Sequence, residues 1–227
     1  MMTGLYLYAR WLRVWHWLNA LLFMVLIVSG VSMHFGGSAL LMPFNTAVTV
    51  HNTAGILLSV TWLGFMIGNA VTTNKRHYRV TWRGLPQRLF AQMRYYGYGI
   101  FHNAPHPFHV TADMKLNTLQ QLSYLGVMYG LMPILVMSGW AFLFSTFLPD
   151  TLFGIGSVWF VAMIHLTVAY GLALFLLVHS YIITTGDTLT SNLRAMITGW
   201  HPFTPPLERS FDHAAETIPP KTADQRS

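Results

Sequence analysis

Four stretches of this chain, residues 14–33, 50–70, 119–144 and 157–183, contain no Asp, Glu, Lys or Arg. A helix of about 20 predominantly apolar residues crosses the hydrocarbon core of a bilayer, so each stretch is long enough to span one. Composition points the same way. Hydrophobic residues make up 53% of the 227 and charged residues only 9%, against roughly 25% in an ordinary soluble domain. A surface so poor in charge would aggregate in water, and lipid is the expected solvent and partner. The fold class expected is all-α, an integral membrane four-helix bundle occupying residues 1–200. Residues 201–227 carry Pro202, Pro205, Pro206, Pro219 and Pro220 among polar residues, too little apolar content to fold, and read as a mobile cytoplasmic tail.

Basic residues set the orientation. Arg10 and Arg13 precede the first stretch. Lys75, Arg76, Arg79, Arg83, Arg88, Arg94 and Lys115 lie between the second and third, and Arg194, Arg209, Lys221 and Arg226 follow the fourth. The other two connections contain no Lys or Arg. All the basic residues thus fall on one side, which the positive-inside rule places in the cytoplasm. Both termini are therefore expected inside, in the inner membrane of a bacterium or archaeon. The first stretch resembles a signal peptide in its basic lead-in, but its length and the lack of a small-residue cleavage site read as a retained span. The net charge of +6 follows from these loops and gives no sign of nucleic acid. The middle connection, 71–118, holds Pro86, Pro105 and Pro107 with Arg94, Tyr95, Tyr96 and Tyr98, and is expected to lay an amphipathic helix on the membrane surface. Trp11, Trp15, Trp17, Trp62 and Trp159 fit an interfacial aromatic belt. No internal repeat stands out. Pro133 is read as a break in the third span, and neither intramembrane charge nor paired broken helices suggest a transporter.

The chain has no cysteine, which removes disulfides, thiolate metal sites, iron–sulfur clusters and covalent c-type haem. It has 11 histidines. Ionisable residues inside a bilayer are expensive and functional by default, and His16, His51, His165 and His179 fall in the apolar stretches. From His165 to His179 a helix turns within about 40° of four full turns and rises about 21 Å. The pair therefore shares a face, at a separation suited to two haems and not to one metal ion. With the termini inside, His16 and His179 lie near the cytoplasmic end. His51 and His165 each stand about 20 residues, roughly 30 Å, from the cytoplasmic ends of their helices. Depth thus pairs His51 with His165 and His16 with His179. A lone histidine in a membrane helix is most often a packing residue, whereas four that pair by depth point to axial ligation of two b-type haem irons. Ligation by two imidazoles leaves no open iron position, so such haems carry electrons and bind no substrate. Gly30, Gly126 and Gly139 are spaced to admit a flat porphyrin or, equally, close helix packing. His34 rivals His51 as the outer ligand. His102, His106 and His109 read as loop residues, and His77, His201 and His213 carry no signal.

Three segments carry a family resemblance: Arg13-Val-Trp-His16-Trp-Leu-Asn19, the fourteen-residue spacing of His165 and His179, and Lys115-Leu-Asn117-Thr-Leu-Gln-Gln121-Leu-Ser-Tyr124. Over about residues 8–200 the chain resembles the cytochrome b subunits of formate dehydrogenase, nickel–iron hydrogenase and thiosulfate reductase. Pro105-His-Pro-Phe is most similar to the thiosulfate reductase branch. The resemblance implies two haem b groups on His16, His51, His165 and His179. It also implies a quinone site beside the cytoplasmic-side haem, involving Asn117 and His179. Where the family has a small glycine, this chain has Leu119. By its residues alone Asn117 reads equally as a helix N-cap. The implied role is an electron-transfer subunit, not a stand-alone enzyme, working between membrane quinone or quinol and a partner at the periplasmic face. That partner would be a molybdenum or nickel–iron enzyme with an iron–sulfur subunit, or a multihaem protein; a homo-oligomer is compatible. Arg10, Arg13 and Arg94 could meet haem propionates, but they are more simply topology determinants. Two rival readings remain: a haem-free quinone-binding anchor, and a cytochrome b that delivers electrons without quinone.

Overall fold

A computed structural model describes residues 4–35, 42–102, 104, 107–108, 115–186 and 188–202. The expected mobile tail falls almost wholly on 203–227, outside the described residues, as do His106, His109 and His213.

Four helices are long and apolar enough to cross a membrane: Arg10–His34, Phe44–Val71, Thr118–Leu143 and Ser157–Ile183. The first two are α1 and α2. The third comprises α4 (Thr118–Gly126) and α5 (Met132–Leu143), and the fourth is α6. Helix α2 starts well before residue 50, at Phe44, because Pro43 occupies its N-cap, a place where the missing N–H costs nothing. Apolar content marks the lipid-crossing part of a helix, not its ends. The core lies where the spans meet, with Leu12 and Leu22 of α1, Ala54, Leu58 and Phe65 of α2, Met132 of α5 and Leu172 of α6 packed together.

Pro133 does not break the third span. It is absorbed by one π-helical turn, Val127–Leu131, between α4 and α5. Met132 N–H reaches back five residues to the Val127 carbonyl. The next residue is proline and has no N–H, so the Met128 carbonyl would be left unsatisfied in lipid. The Trp62 indole of α2 donates to it at 2.9 Å. Trp62→Phe should therefore strand a buried acceptor and destabilise the protein by about 1–3 kcal/mol, read as an earlier thermal transition in detergent. Trp15 behaves similarly, donating to the Thr61 carbonyl at 2.9 Å and lying against Phe65 with ring centres 4.4 Å apart. Trp15 and Trp62 thus join helices, as Trp17 does by donating to the Met196 carbonyl at 3.3 Å; Trp17 and Trp159 are exposed.

The expected amphipathic helix is α3 (Leu85–Gly97), with Phe90 and Met93 exposed and Gln92 and Tyr96 buried. Two short antiparallel strand pairs were not expected. Strands β2 (Thr151–Leu152) and β3 (Ile155–Gly156) form a hairpin turned by Phe153 and Gly154, both at positive φ, 53° and 77°. Strand β1 (Gly4–Tyr6) pairs with β4 (Trp200–Pro202), so the chain before α1 clasps the chain after α7 (Ser191–Thr198). Gly199 makes that turn at φ 89°, where an added Cβ would lie 2.7 Å from the Tyr6 ring. Arg13 donates to the Ile197 carbonyl in the last turn of α7, so its place in the fold is to cap a helix end.

Candidate functional site

The helices bring the four intramembrane histidines into two couples, paired as depth predicts. The rings of His51 and His165 have centres 6.3 Å apart at an interplanar angle of 68°. Those of His16 and His179 are 6.2 Å apart at 55°. Two imidazoles that each put a nitrogen about 2 Å from one metal ion, on opposite sides, have ring centres about 6 Å apart. Both couples therefore have the spacing that one iron between two axial imidazoles requires. His34, the rival to His51, stands at the exposed end of α1 beside Phe35. It borders the same cavity as His51, but its ring is not the one set against His165.

The His51–His165 couple is built twice over from one local pattern. Ser29 on α1 gives its hydroxyl proton to the Val25 carbonyl at 2.7 Å, and its oxygen lies 3.0 Å from His51 Nδ1. Ser138 on α5 does the same with the Ile134 carbonyl at 2.7 Å and His165 Nδ1 at 2.8 Å. A hydroxyl whose proton is committed can only accept from the imidazole. Each ring is thereby held as the Nδ1–H tautomer with the Nε2 lone pair free for a metal. The residue after each serine is glycine. A Cβ on Gly30 would stand 3.5 Å from His51 Cε1, and one on Gly139 3.4 Å from His165 Cε1. The couple opens onto a cavity of about 590 Å³, walled mainly by apolar side chains with Gly30, His51, Gly139 and His165 among them. This lies within the ~300–1,000 Å³ typical of cofactor sites. Its apolar walls and paired free nitrogens fit a haem.

The His16–His179 couple is held differently. His16 Nδ1 is buried without a hydrogen-bond partner, and His179 Nδ1 lies 3.4 Å from the Tyr124 hydroxyl. Phe175 stacks on His179 with ring centres 5.6 Å apart. Asn117 is buried and N-caps α4, accepting from Gln120 N–H at 2.9 Å while Nδ2 donates to the Tyr96 hydroxyl at 2.9 Å. It makes a full capping box with Gln120. Asn19, from the first motif, ties α1 to α2 by accepting from Thr61 at 3.3 Å.

Beyond this couple runs a polar chain from loop to membrane. Lys115 Nζ donates to Asn74 at 2.6 Å, Asn74 to Asn69 at 2.9 Å, and Asn69 to the Tyr129 hydroxyl at 2.7 Å, inside the π-turn. Burial, helped by the nearby Arg76 charge, pulls the Lys115 ammonium down to about 8. The folded protein then holds fewer protons than the unfolded chain between pH about 8 and 10.5, so the burden of burying this charge is full below 8 and is relieved as pH rises. Thermal stability of the wild type should gain on that of Lys115→Met across this window.

Comparison with known proteins decides what the couples belong to. Residues 7–199 match the family model described as prokaryotic cytochrome b561. The chain belongs to that family. It is also 38% identical over 200 residues to YdhU of Escherichia coli (strain K12), whose name assigns it provisionally to the cytochromes; the match covers 87% of this chain and 74% of that one. The protein is thus a multi-pass membrane cytochrome of the b561 type, with electron transfer as its work and haem b as the cofactor that membership implies.

Ser29, Ser138 and Tyr124 are the site residues that sequence reasoning passes over as such. For the serines a signal existed: the dipeptide Ser-Gly occurs at 29–30 and again at 138–139, each time on the helix before the one that carries its histidine.

Proposed function

We propose that this b561-type cytochrome holds two b haems, one on His51 and His165 and one on His16 and His179, and passes electrons between a redox partner at the periplasmic face and membrane quinone at the cytoplasmic side. The observation that carries this is the pair of imidazole couples, each at the spacing of one iron between two imidazoles, with Nε2 of His51 and His165 left free by Ser29 and Ser138. Segregation of the basic residues supports cytoplasmic termini, which puts the His51–His165 couple toward the periplasm. Bound haem supplies one-electron transfer with no open coordination position. The protein's own contribution is to fix ring orientation, wall the His51–His165 site with apolar side chains and tie the loop side to the spans. For the last task the chain Lys115–Asn74–Asn69–Tyr129 joins the loop side to the π-turn of the span that carries Tyr124. The family resemblance supports quinone beside His179 and Asn117, and supports a partner with iron–sulfur clusters and a molybdenum or nickel–iron centre, or with several haems.

Asn117 serves as a helix cap in any reading, so the test must keep the cap. Asn117→Ser retains a capping oxygen but loses the amide reach. With haem content unchanged, reduction of the protein by a short-chain quinol should slow at least about tenfold, a barrier increase of about 1.4 kcal/mol. Unchanged quinol reduction in that variant would assign Asn117 to the cap alone. Failure of any quinol to reduce the wild-type protein would favour a cytochrome that works without quinone.

A further inference from the structure

The two histidine couples differ in what stands behind each imidazole. We infer that Ser29 and Ser138 make the His51–His165 site the stronger electron donor to iron, so that its haem has a lower potential than the one at His16–His179 and electrons run downhill from the first site to the second. This rests on the two-haem reading above.

Both serines are locked as acceptors. Ser29 spends its proton on the carbonyls of Val25 and Leu26, at 2.7 and 3.2 Å. Ser138 spends its own on Ile134 and Leu135, at 2.7 and 3.0 Å. The His51 and His165 rings therefore donate Nδ1–H, to the serine oxygens at 3.0 and 2.8 Å and to the backbone carbonyls of Leu26 and Leu135 beside them. An imidazole that donates in this way becomes a more basic ligand through its other nitrogen. A more basic ligand favours ferric over ferrous iron and lowers the potential. At the other couple the same help is weak or missing: His16 Nδ1 is buried without a partner, and the 3.4 Å contact of His179 with Tyr124 is long for a hydrogen bond. The positive residues act in the same sense. Arg13 lies one helical turn before His16, and positive charge nearby favours the ferrous form. An electron that leaves the His51–His165 site oxidises it and reduces the other. No proton or further reactant is needed.

Potentiometric titration of the purified, haem-loaded protein, followed optically and by electron paramagnetic resonance, tests this. His51→Ala identifies the outer wave by removing it. The wave removed should be the lower of two. Ser29→Ala and Ser138→Ala, which leave each ring only the backbone carbonyl beside it, should each raise it, and the double variant should raise it by about tenfold in the reduction equilibrium, ~59 mV for one electron, while the other wave stays in place. Ser29→Thr and Ser138→Thr, which keep the hydroxyl, should hold the wild-type value. Should an alanine variant lose haem, Ser138→Cys, a weaker acceptor, should show a smaller rise in the same wave. If the wave lost in His51→Ala is the higher one, or if the serine variants leave it unmoved, the inference is overturned while the two-haem reading stands. A wild-type protein with fewer than two haems overturns that reading and the inference with it.

Discussion

His165→Ala and His179→Ala each leave a protein that folds into the membrane with one haem in place of two, and the double variant has none. The two helical positions carry ligands of different couples, so the losses should be independent. His51→Ala should match His165→Ala in the haem it sheds, and His16→Ala should match His179→Ala. The expectation follows from the ring separations of 6.3 and 6.2 Å, which join His51 to His165 and His16 to His179 and join no others among the described histidines. Haem spectra of membranes from the four single variants, normalised to chain content, check it. A loss of both haems from any single substitution would mean that the couples are not separate sites.

Filling the cradle should be nearly as damaging as removing a ligand. Gly30 and Gly139 stand where a Cβ would already be in van der Waals contact with the His51 and His165 rings, at 3.5 and 3.4 Å. Alanine there adds a contact that the site can absorb. Leucine adds a branched side chain to a cavity of about 590 Å³ that a porphyrin would have to share. We expect Gly139→Ala to keep both haems with little change, and Gly139→Leu to lose the haem on His51 and His165 while the haem on His16 and His179 survives. Overpacking of a filled site costs about 1–3 kcal/mol or more, enough to reduce haem occupancy roughly tenfold or beyond. Retention of both haems in Gly139→Leu would place the porphyrin plane elsewhere.

The architecture was legible because lipid imposes one strict demand, that long segments carry no charge, and the four spans satisfy it. The histidine couples were legible because helical rise and topology convert residue number into depth. Other features were hidden for identifiable reasons. The π-turn before Pro133 depends on Trp62 lending a donor from a different helix, a contact that local pattern does not encode. The clasp of Gly4–Tyr6 with Trp200–Pro202 pairs segments from opposite ends of the chain, and neither reads as a strand alone. Ser29 and Ser138 look like ordinary small residues of membrane helices; only the histidine facing each shows what its oxygen is for. Asn117 was readable in two ways, and the structure displays its capping bonds in full.

The most direct test of the account is haem per chain in the purified protein, by pyridine haemochrome against quantitative amino-acid analysis. Two b haems per chain are predicted. None would contradict the reading of the histidine couples altogether, and one would show that either the His51–His165 or the His16–His179 pair holds something other than haem.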